Sequence, residues 1–357
     1  MKLNKFYNTL KSYIKNNSSH LGYSITLQNL YEGIADVNSD NLTLYASIDD
    51  IPSGINTTVN IVSTESYTKF YDAGTKDFPS FISCYGTENT EDIKQPVNTA
   101  DLQGVTLDSK RLLAFIKAAI DYDKKGKSYN RSIVHQVCLE TIKDNTALRM
   151  AYTNGKLLVT SEFTVSEGFT LPFKQTVIPC SVLPILQAII GKAKRDVSLY
   201  TAEDKVIFAY KGQTLAYKCK EEHYPDVDRF ITSDLVIVDD GFMSCHADTI
   251  LICEKEANWG PAEKKGFNPP MVRLSQDNET YYVEKSNGTC RKELGSWDSR
   301  FEFSCLFNVE LLKPILTYIK DTGESYKLGF KAGSNYSNSG LIFSNQNSFI
   351  ILMPMRS

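Results

Sequence analysis

One pattern recurs along this chain: a helical segment with an apolar face is followed by short alternating segments that are joined by tight turns. In DSKRLLAFIKAAIDYDKK, the residues Leu112, Ile116 and Ile120 fall on one face, as expected for a helix packed against a core. ALRMAYTNGKLLVTSEF alternates and predicts a hairpin that turns at Asn154-Gly155. The repeat predicts an α+β fold with two helices packed on a sheet in each domain.

Two further segments, SVLPILQAIIGKAKRD and NVELLKPILTYIKD, have the same helical pattern. Ser181 is the expected N-cap of the first, and Pro314 is expected to kink the second or delay its start. These helices and the amino-terminal MKLNKFYNTLKSYIKNN place lysine opposite the apolar face. Lysine is common on any exposed helix face, but its recurrence in a chain of net charge −3 favours one basic surface, with acidic residues on strands and loops.

Length and turn-rich segments predict three domains, at residues 1–100, 101–232 and 233–357. Eight cysteines are scattered singly, without a Cys-x-x-Cys pair or zinc-ligand spacing, which predicts reduced thiols in a cytoplasmic protein without a bound metal. The amino terminus lacks the apolar core of a signal peptide, and no long apolar run occurs, so no membrane association is expected.

The sequence does not predict a catalytic role or a cofactor. Cys245 and His246 place a thiol and a base next to each other in the sequence, but adjacent side chains are expected to point apart on a strand or a helix. The other histidines, His20, His135 and His223, lie in no recognised catalytic motif. A binding protein is therefore expected rather than an enzyme.

Four segments resemble the bacterial sliding clamp, the beta subunit of DNA polymerase III. They are LRMAYTNGKLLV at 148–159, EEHYPDVDRFI at 221–231, FEFSCLFNVELLKPIL at 301–316 and FIILMPMRS at 349–357. The resemblance covers residues 101–357 and is faint before them, where the segment between Val62 and FPSF at 78–81 is short for a second helix-and-strand unit. The chain is identified as a divergent member with a DNA-clamp fold and a shortened first domain.

The resemblance implies a function as well as a fold. Members of that family form head-to-tail homodimeric rings around duplex DNA and tether other proteins to it without catalysis. Duplex DNA, bound without sequence preference, and peptides of a DNA polymerase and a clamp loader are therefore the expected partners. The residues predicted to face DNA are Lys5, Lys11, Lys15, Lys110, Lys117, Lys124, Lys127, Arg131, Lys192, Lys194, Arg195, Lys313 and Lys320. Leu251 and Ile252 are predicted at the subunit interface.

The resemblance also implies a hydrophobic groove for partner peptides, bordered by the last strand and by the middle-domain hairpin. The residues predicted to form it are Val134, Thr153, Gly155, Lys156, Leu157, Leu158, Thr232, Ile351, Met353 and Pro354. Methionine suits such a surface because its unbranched side chain packs against many partners. The family usually has other residues at Lys156, Leu157 and Thr232, which predicts a different peptide preference.

A second function stays open at this stage. A clamp-like interaction protein, such as a phage or mobile-element decoy, would bind clamp partners without encircling DNA. The short first domain favours this alternative because ring closure depends on that domain in the family.

Overall fold

The chain forms two compact units in the computed structural model. The described residues are 5, 8–10, 13, 22–29, 33–38, 42–47, 56–62, 98–125, 135–192, 195–256, 271–277, 280–285, 290–296, 303–333 and 339–355. The first unit comprises the described residues within Met1–Ser109, Leu139–Leu148 and Phe163–His223. The second comprises those within Lys110–Cys138, Arg149–Glu162 and Tyr224–Ser357.

Helices and antiparallel strands alternate along the described residues. The helices are α1 (Ser109–Lys125), α2 (Leu183–Ile190), α3 (Ser244–Glu256) and α4 (Val309–Thr322). The strands are β1 (Gly22–Asn29), β2 (Gly33–Asn38), β3 (Leu42–Ser47), β4 (Asn56–Val62), β5 (Gly104–Leu107), β6 (Gln136–Ile142), β7 (Ala147–Thr153), β8 (Leu157–Thr164), β9 (Thr176–Pro179), β10 (Val197–Ala202), β11 (Lys205–Tyr210), β12 (Gln213–Lys218), β13 (Lys220–Glu221), β14 (Leu235–Phe242), β15 (Met271–Asp277), β16 (Thr280–Lys285), β17 (Arg291–Ser296), β18 (Ser304–Asn308), β19 (Tyr326–Lys331), β20 (Leu341–Ser344) and β21 (Ser348–Leu352).

An eight-stranded sheet forms the body of the first unit, with strand order β4-β1-β2-β3-β12-β11-β10-β5. Neighbouring strands in it are antiparallel. Strand β3 pairs with β12, so strands from the predicted first and second domains share this sheet. The three-domain division itself stays a prediction.

Helix α2, in the first unit, begins later than the sequence predicts. The expected N-cap Ser181 lies inside a 3-10 turn, and α2 begins at Leu183 without a side-chain cap. Pro184 accounts for this start, because its ring fits the first turn, where a backbone N–H has no intrahelical acceptor. The helix ends at Ile190, and Gly191, which follows it, has a φ of +64°. Lys192 and Arg195 therefore follow α2 instead of lying on it.

Two sheets contribute to the second unit. In the larger one, the strands that lie wholly or mostly in this unit run in the order β7-β8-β21-β20-β19-β14. The smaller sheet has the order β17-β16-β15-β18. Strand β21 is an interior strand, in which Ile351 pairs with Leu158 of β8 on one side and with Ile342 of β20 on the other. The segment FIILMPMRS thus supplies a paired strand with a short extension beyond it.

Helices α1 and α4 bury the faces that the sequence predicts. On α1, the residues Leu112, Ile116 and Ile120 are all buried. Helix α4 begins at Val309. Its N-cap is Asn308, whose Oδ1 accepts a hydrogen bond from the Glu310 backbone N–H at 2.8 Å. Of the two effects predicted for Pro314, a delayed start is wrong, because this cap begins the helix five residues earlier. A kink at Pro314 stays a prediction.

A buried polar network holds α4 to the larger sheet. The Tyr318 hydroxyl shares hydrogen bonds with Ser161 on β8, at 2.6 Å, and with Ser348 on β21, at 2.7 Å. All three side chains are buried, and burial raises the pKa of Tyr318 above its ordinary value. The hydroxyl therefore stays protonated at neutral pH and keeps both serine hydroxyls paired.

Tyr318→Phe is expected to lower the free energy of unfolding by about 1–3 kcal/mol, because two buried serine hydroxyls lose this partner while the ring is retained. Urea unfolding of the full chain measures the change. Tyr282→Phe is the matched control, because the Tyr282 ring stacks with Arg291 at 3.9 Å and this contact survives loss of the hydroxyl. Equal unfolding midpoints for the two variants would contradict a stabilising role for the network.

Candidate functional site

A pocket opens in the second unit beside the end of β21. It encloses about 440 Å³, part of it open to solvent. The residues that line it are Thr153, Gly155, Lys156, Leu157, Leu158, Pro225, Val227, Phe230, Ile351 and Met353. Because this lining is mostly apolar and concave, the pocket suits large apolar side chains of a ligand.

The β7–β8 hairpin forms the first wall, and its turn is fixed by its own side chains. Gly155 has a φ of +80°, a conformation that favours glycine. Asn154 Oδ1 accepts hydrogen bonds from the backbone N–H groups of Lys156, at 3.0 Å, and Leu157, at 3.1 Å. The Thr153 hydroxyl donates to the Leu157 carbonyl at 2.7 Å. This wall is therefore preformed, which reduces the ordering cost of binding.

The end of β21 forms the second wall. The backbone N–H of Met353 donates to the Lys156 carbonyl at 2.8 Å, so the chain stays attached to the hairpin beyond the last strand residue. Gly340 lies beside this wall, and a Cβ on it would be 2.6 Å from Ile351 Cγ2 and 3.2 Å from Met353 Sδ. Glycine at this position therefore leaves room for both lining side chains.

The third wall consists of Pro225, Val227 and Phe230, which are not among the residues predicted for the groove. These residues lie in YPDVDRF at 224–230, inside a segment that resembles the clamp sequence. The resemblance marks the segment, but the sequence does not show that it faces the hairpin.

Two contacts hold the third wall in place within the second unit. The buried Tyr224 hydroxyl accepts a hydrogen bond from the Thr153 backbone N–H at 3.0 Å and donates to the Ala151 carbonyl at 3.3 Å. The buried Arg149 pairs with the exposed Asp228 at 2.8 Å. The segment is therefore anchored to β7 at both of these points.

Ion pairs join helices α1, α3 and α4 of the second unit. They are Lys117–Asp321 between α1 and α4, at 2.7 Å, Lys313–Glu254 between α4 and α3, at 2.8 Å, and Lys320–Asp248, also between α4 and α3. The Tyr122 hydroxyl on α1 also donates to the Leu311 carbonyl on α4 at 2.6 Å. Helix α4 therefore contacts both α1 and α3.

Solved bacterial sliding clamps are similar to this chain over nearly its whole length. The Helicobacter pylori beta clamp bound to a DNA ligase peptide has a TM-score of 0.62 and 12% identity, covering 100% of this chain and 99% of that chain. The Pseudomonas aeruginosa sliding clamp with ligand has a TM-score of 0.61 and 14% identity, covering 100% of this chain and 99% of that chain. The Caulobacter crescentus clamp has a TM-score of 0.59 and 14% identity, covering 94% of this chain and 91% of that chain. This chain has the fold of a bacterial sliding clamp.

The similarity to solved clamps is a similarity of structure, with only 12–14% sequence identity. No protein-family model matches the chain. No curated protein matches it. The predicted α+β clamp fold is confirmed, and the sequence resemblance is confirmed at the level of fold.

Seven of the ten residues predicted for the peptide groove of the clamp fold line this one pocket. They are Thr153, Gly155, Lys156, Leu157, Leu158, Ile351 and Met353. Thr232 and Pro354 are not among the lining residues, and Val134 lies outside the described residues. Peptide binding by this set stays a prediction.

The residues predicted to face DNA differ in their surroundings. Lys5, Lys110, Lys192 and Arg195 are exposed. Ion pairs engage Lys117, Lys124, Lys313 and Lys320. The others, Lys11, Lys15, Lys127, Arg131 and Lys194, lie outside the described residues.

Acidic residues also occupy the helices of the second unit. Helices α1, α3 and α4 together contain eight Lys and Arg and seven Asp and Glu. The expectation that acidic residues are confined to strands and loops is therefore wrong for these helices. A lysine paired with a carboxylate attracts phosphate less strongly, because part of its charge is neutralised locally.

Helix α3 carries the two residues predicted at the subunit interface of the clamp fold. Leu251 is half-buried, whereas Ile252 is 46% exposed. A large exposed apolar side chain is compatible with a contact surface. The interface itself stays a prediction.

The expectation that Cys245 and His246 point apart is wrong. Cys245 Sγ lies 3.6 Å from His246 Nδ1. The same Nδ1 accepts a hydrogen bond from the Met243 backbone N–H at 3.1 Å, which occupies the lone pair that a general base would use.

Among the described residues, no group of three or more His, Cys, Asp and Glu is arranged to hold a metal ion. In the same part of the chain, no helix has the length and apolar character needed to cross a membrane.

Proposed function

We propose that this protein is a sliding clamp that tethers a DNA polymerase, and other replication or repair proteins, to duplex DNA. The pocket binds short apolar peptides of those partners. The observation that carries this proposal is the convergence of three separated segments, each resembling the clamp sequence, on one preformed apolar pocket. The Helicobacter pylori clamp, which has the same fold, is bound to a DNA ligase peptide, and this supports a peptide as the ligand here.

The open, mostly apolar lining of the pocket is consistent with modest, exchangeable binding. Burial of two large apolar peptide side chains there would contribute about 3–6 kcal/mol before ordering costs. Exchange matters for a clamp because several partners share one site. The exposed Met353 suits this role because its side chain can repack around different peptides.

In this proposal the chain forms a head-to-tail homodimeric ring of three-domain subunits, divided at 1–100, 101–232 and 233–357, with helices facing the duplex. Leu251 and Ile252 of α3 contribute to the subunit interface. Light scattering should give the mass of a dimer in solution. A strictly monomeric mass at all concentrations would contradict the ring.

Retention on circular DNA tests encirclement directly. The protein is concentrated together with nicked circular duplex, so that rings close around it, and the mixture is then gel-filtered. We expect protein to elute with the circular DNA and to dissociate when the DNA is cut once, because a ring slides off free ends. Equal retention before and after cutting would indicate that the protein binds the duplex without encircling it.

The ion pairs on the helices favour a second candidate function. With Lys117, Lys313 and Lys320 already paired to carboxylates, the attraction of these helices for phosphate is reduced. The protein would then be a clamp-like interaction protein that binds clamp partners without encircling DNA. Peptide binding without retention on circular DNA would support this candidate over the ring.

A further inference from the structure

Two cysteine sulfurs lie in contact in the second unit. Cys253 Sγ is 3.0 Å from Cys290 Sγ, although the two residues are 37 positions apart in the sequence. Cys253 is buried on α3, and Cys290 is half-buried just before β17. A disulfide bond has an S–S distance of about 2.05 Å, so the sulfurs need to approach by only about 1 Å.

We propose that Cys253 and Cys290 form a modification site, a dithiol that peroxide converts reversibly into a disulfide between α3 and the start of β17. This site is separate from the pocket and does not depend on the proposed function. It also refines the expectation that the cysteines are reduced thiols.

The reaction uses the difference in exposure between the two cysteines. The Cys290 thiolate attacks hydrogen peroxide, so that an S–O bond forms, the O–O bond breaks, and hydroxide leaves and is protonated to water. The Cys253 thiol then attacks the resulting sulfenic sulfur, so that the S–S bond forms, the S–O bond breaks and a second water leaves. In total, the two thiols lose two electrons and two protons, and the peroxide is reduced to two waters. An external dithiol reverses the modification.

The other cysteines in the part of the chain that the structure describes lack this combination of access and a neighbouring sulfur. Burial raises the pKa values of the Cys219 and Cys305 thiols to about 12, so both are protonated at neutral pH and are poor nucleophiles. Cys245 is exposed, and its sulfur contacts an imidazole nitrogen. Peroxide is therefore expected to leave Cys245 as a sulfenic acid, which remains accessible to dimedone.

The modification should stabilise the second unit. A cross-link between positions distant in sequence restricts the unfolded chain more than the folded one. The oxidised protein is expected to melt about 4–10 °C above the reduced protein.

Peptide mapping of the full chain tests the proposal. The protein is treated with hydrogen peroxide, its remaining thiols are alkylated, and it is digested without reduction for mass spectrometry. We expect a cross-linked pair of peptides containing Cys253 and Cys290, lighter by two hydrogen atoms than the sum of the thiol peptides and lost on treatment with dithiothreitol. Separate alkylation or over-oxidation of the two cysteines would overturn the proposal.

Two variants keep the test decisive. Cys290→Ser, at the half-buried position, should abolish both the cross-linked peptides and the rise in melting temperature. Cys245→Ser is the matched control and should retain both. A cross-linked dimer band on a non-reducing gel, or an unchanged rise in melting temperature in Cys290→Ser, would show that oxidation acts elsewhere and would overturn the assignment.

Discussion

Replacing Met353 with glutamate is expected to weaken the binding of a partner peptide by about 10–100-fold while the fold is retained. Met353 is 44% exposed at the mouth of the pocket, so the new carboxylate stays hydrated in the free protein. An apolar peptide side chain would remove that hydration on binding and would also lose its contact with the methionine. Together these changes correspond to roughly 1.5–3 kcal/mol.

Fluorescence polarisation with a labelled DNA ligase peptide, or with the carboxy-terminal peptide of a bacterial replicative polymerase, measures this effect. The matched control is Met243→Glu, because Met243 is 43% exposed in the same unit and does not line the pocket. Met353 is a better test position than Leu158, which is only 5% exposed and whose replacement by a charged residue would also disturb β8. Equal affinities for the two glutamate variants would exclude the pocket as the peptide site.

The part of the pocket that could be predicted from the sequence depends on local interactions. Asn154-Gly155 specifies its own turn because the asparagine side chain satisfies the backbone of the turn and glycine accepts the positive φ. The hairpin wall is therefore present in the sequence itself. The position of β21 follows only from the resemblance, since an apolar run does not indicate which strand it pairs with.

The remainder of the pocket depends on contacts between distant residues. Phe230 lines the pocket because the Tyr224 hydroxyl is hydrogen-bonded to the backbone of Thr153, 71 positions away, and because Arg149 forms an ion pair with Asp228. Periodicity does not reveal either contact. The same holds for the helices, because the pattern of α1 shows which face is exposed but not that Asp321, 204 positions from Lys117, lies opposite it.

Replacing Asp248 and Asp321 together with asparagine is expected to strengthen duplex binding and to steepen its dependence on salt. The substitutions release Lys320 and Lys117 from their carboxylates. If the helices face the duplex, each released lysine can neutralise one phosphate and displace its counterion, which adds about 0.9 to the slope of log affinity against log salt. In the double variant, the slope of log affinity against log salt should therefore be steeper by about 1–2, and the affinity at low salt should be roughly fivefold to tenfold higher.

This double variant should remain folded, since partly exposed ion pairs contribute only about 0–1 kcal/mol each and asparagine keeps a hydrogen-bond acceptor. Binding of a short labelled duplex is measured over a series of salt concentrations. Asp277→Asn is the control, because it removes an exposed carboxylate from Arg291, which lies on the smaller sheet and is not among the residues predicted to face DNA. A slope that rises only in the double variant places the helices against phosphate. An unchanged slope, or an equal rise in the control, means that these lysines do not contact DNA, and the chain is then better described as an interaction protein built on the clamp fold.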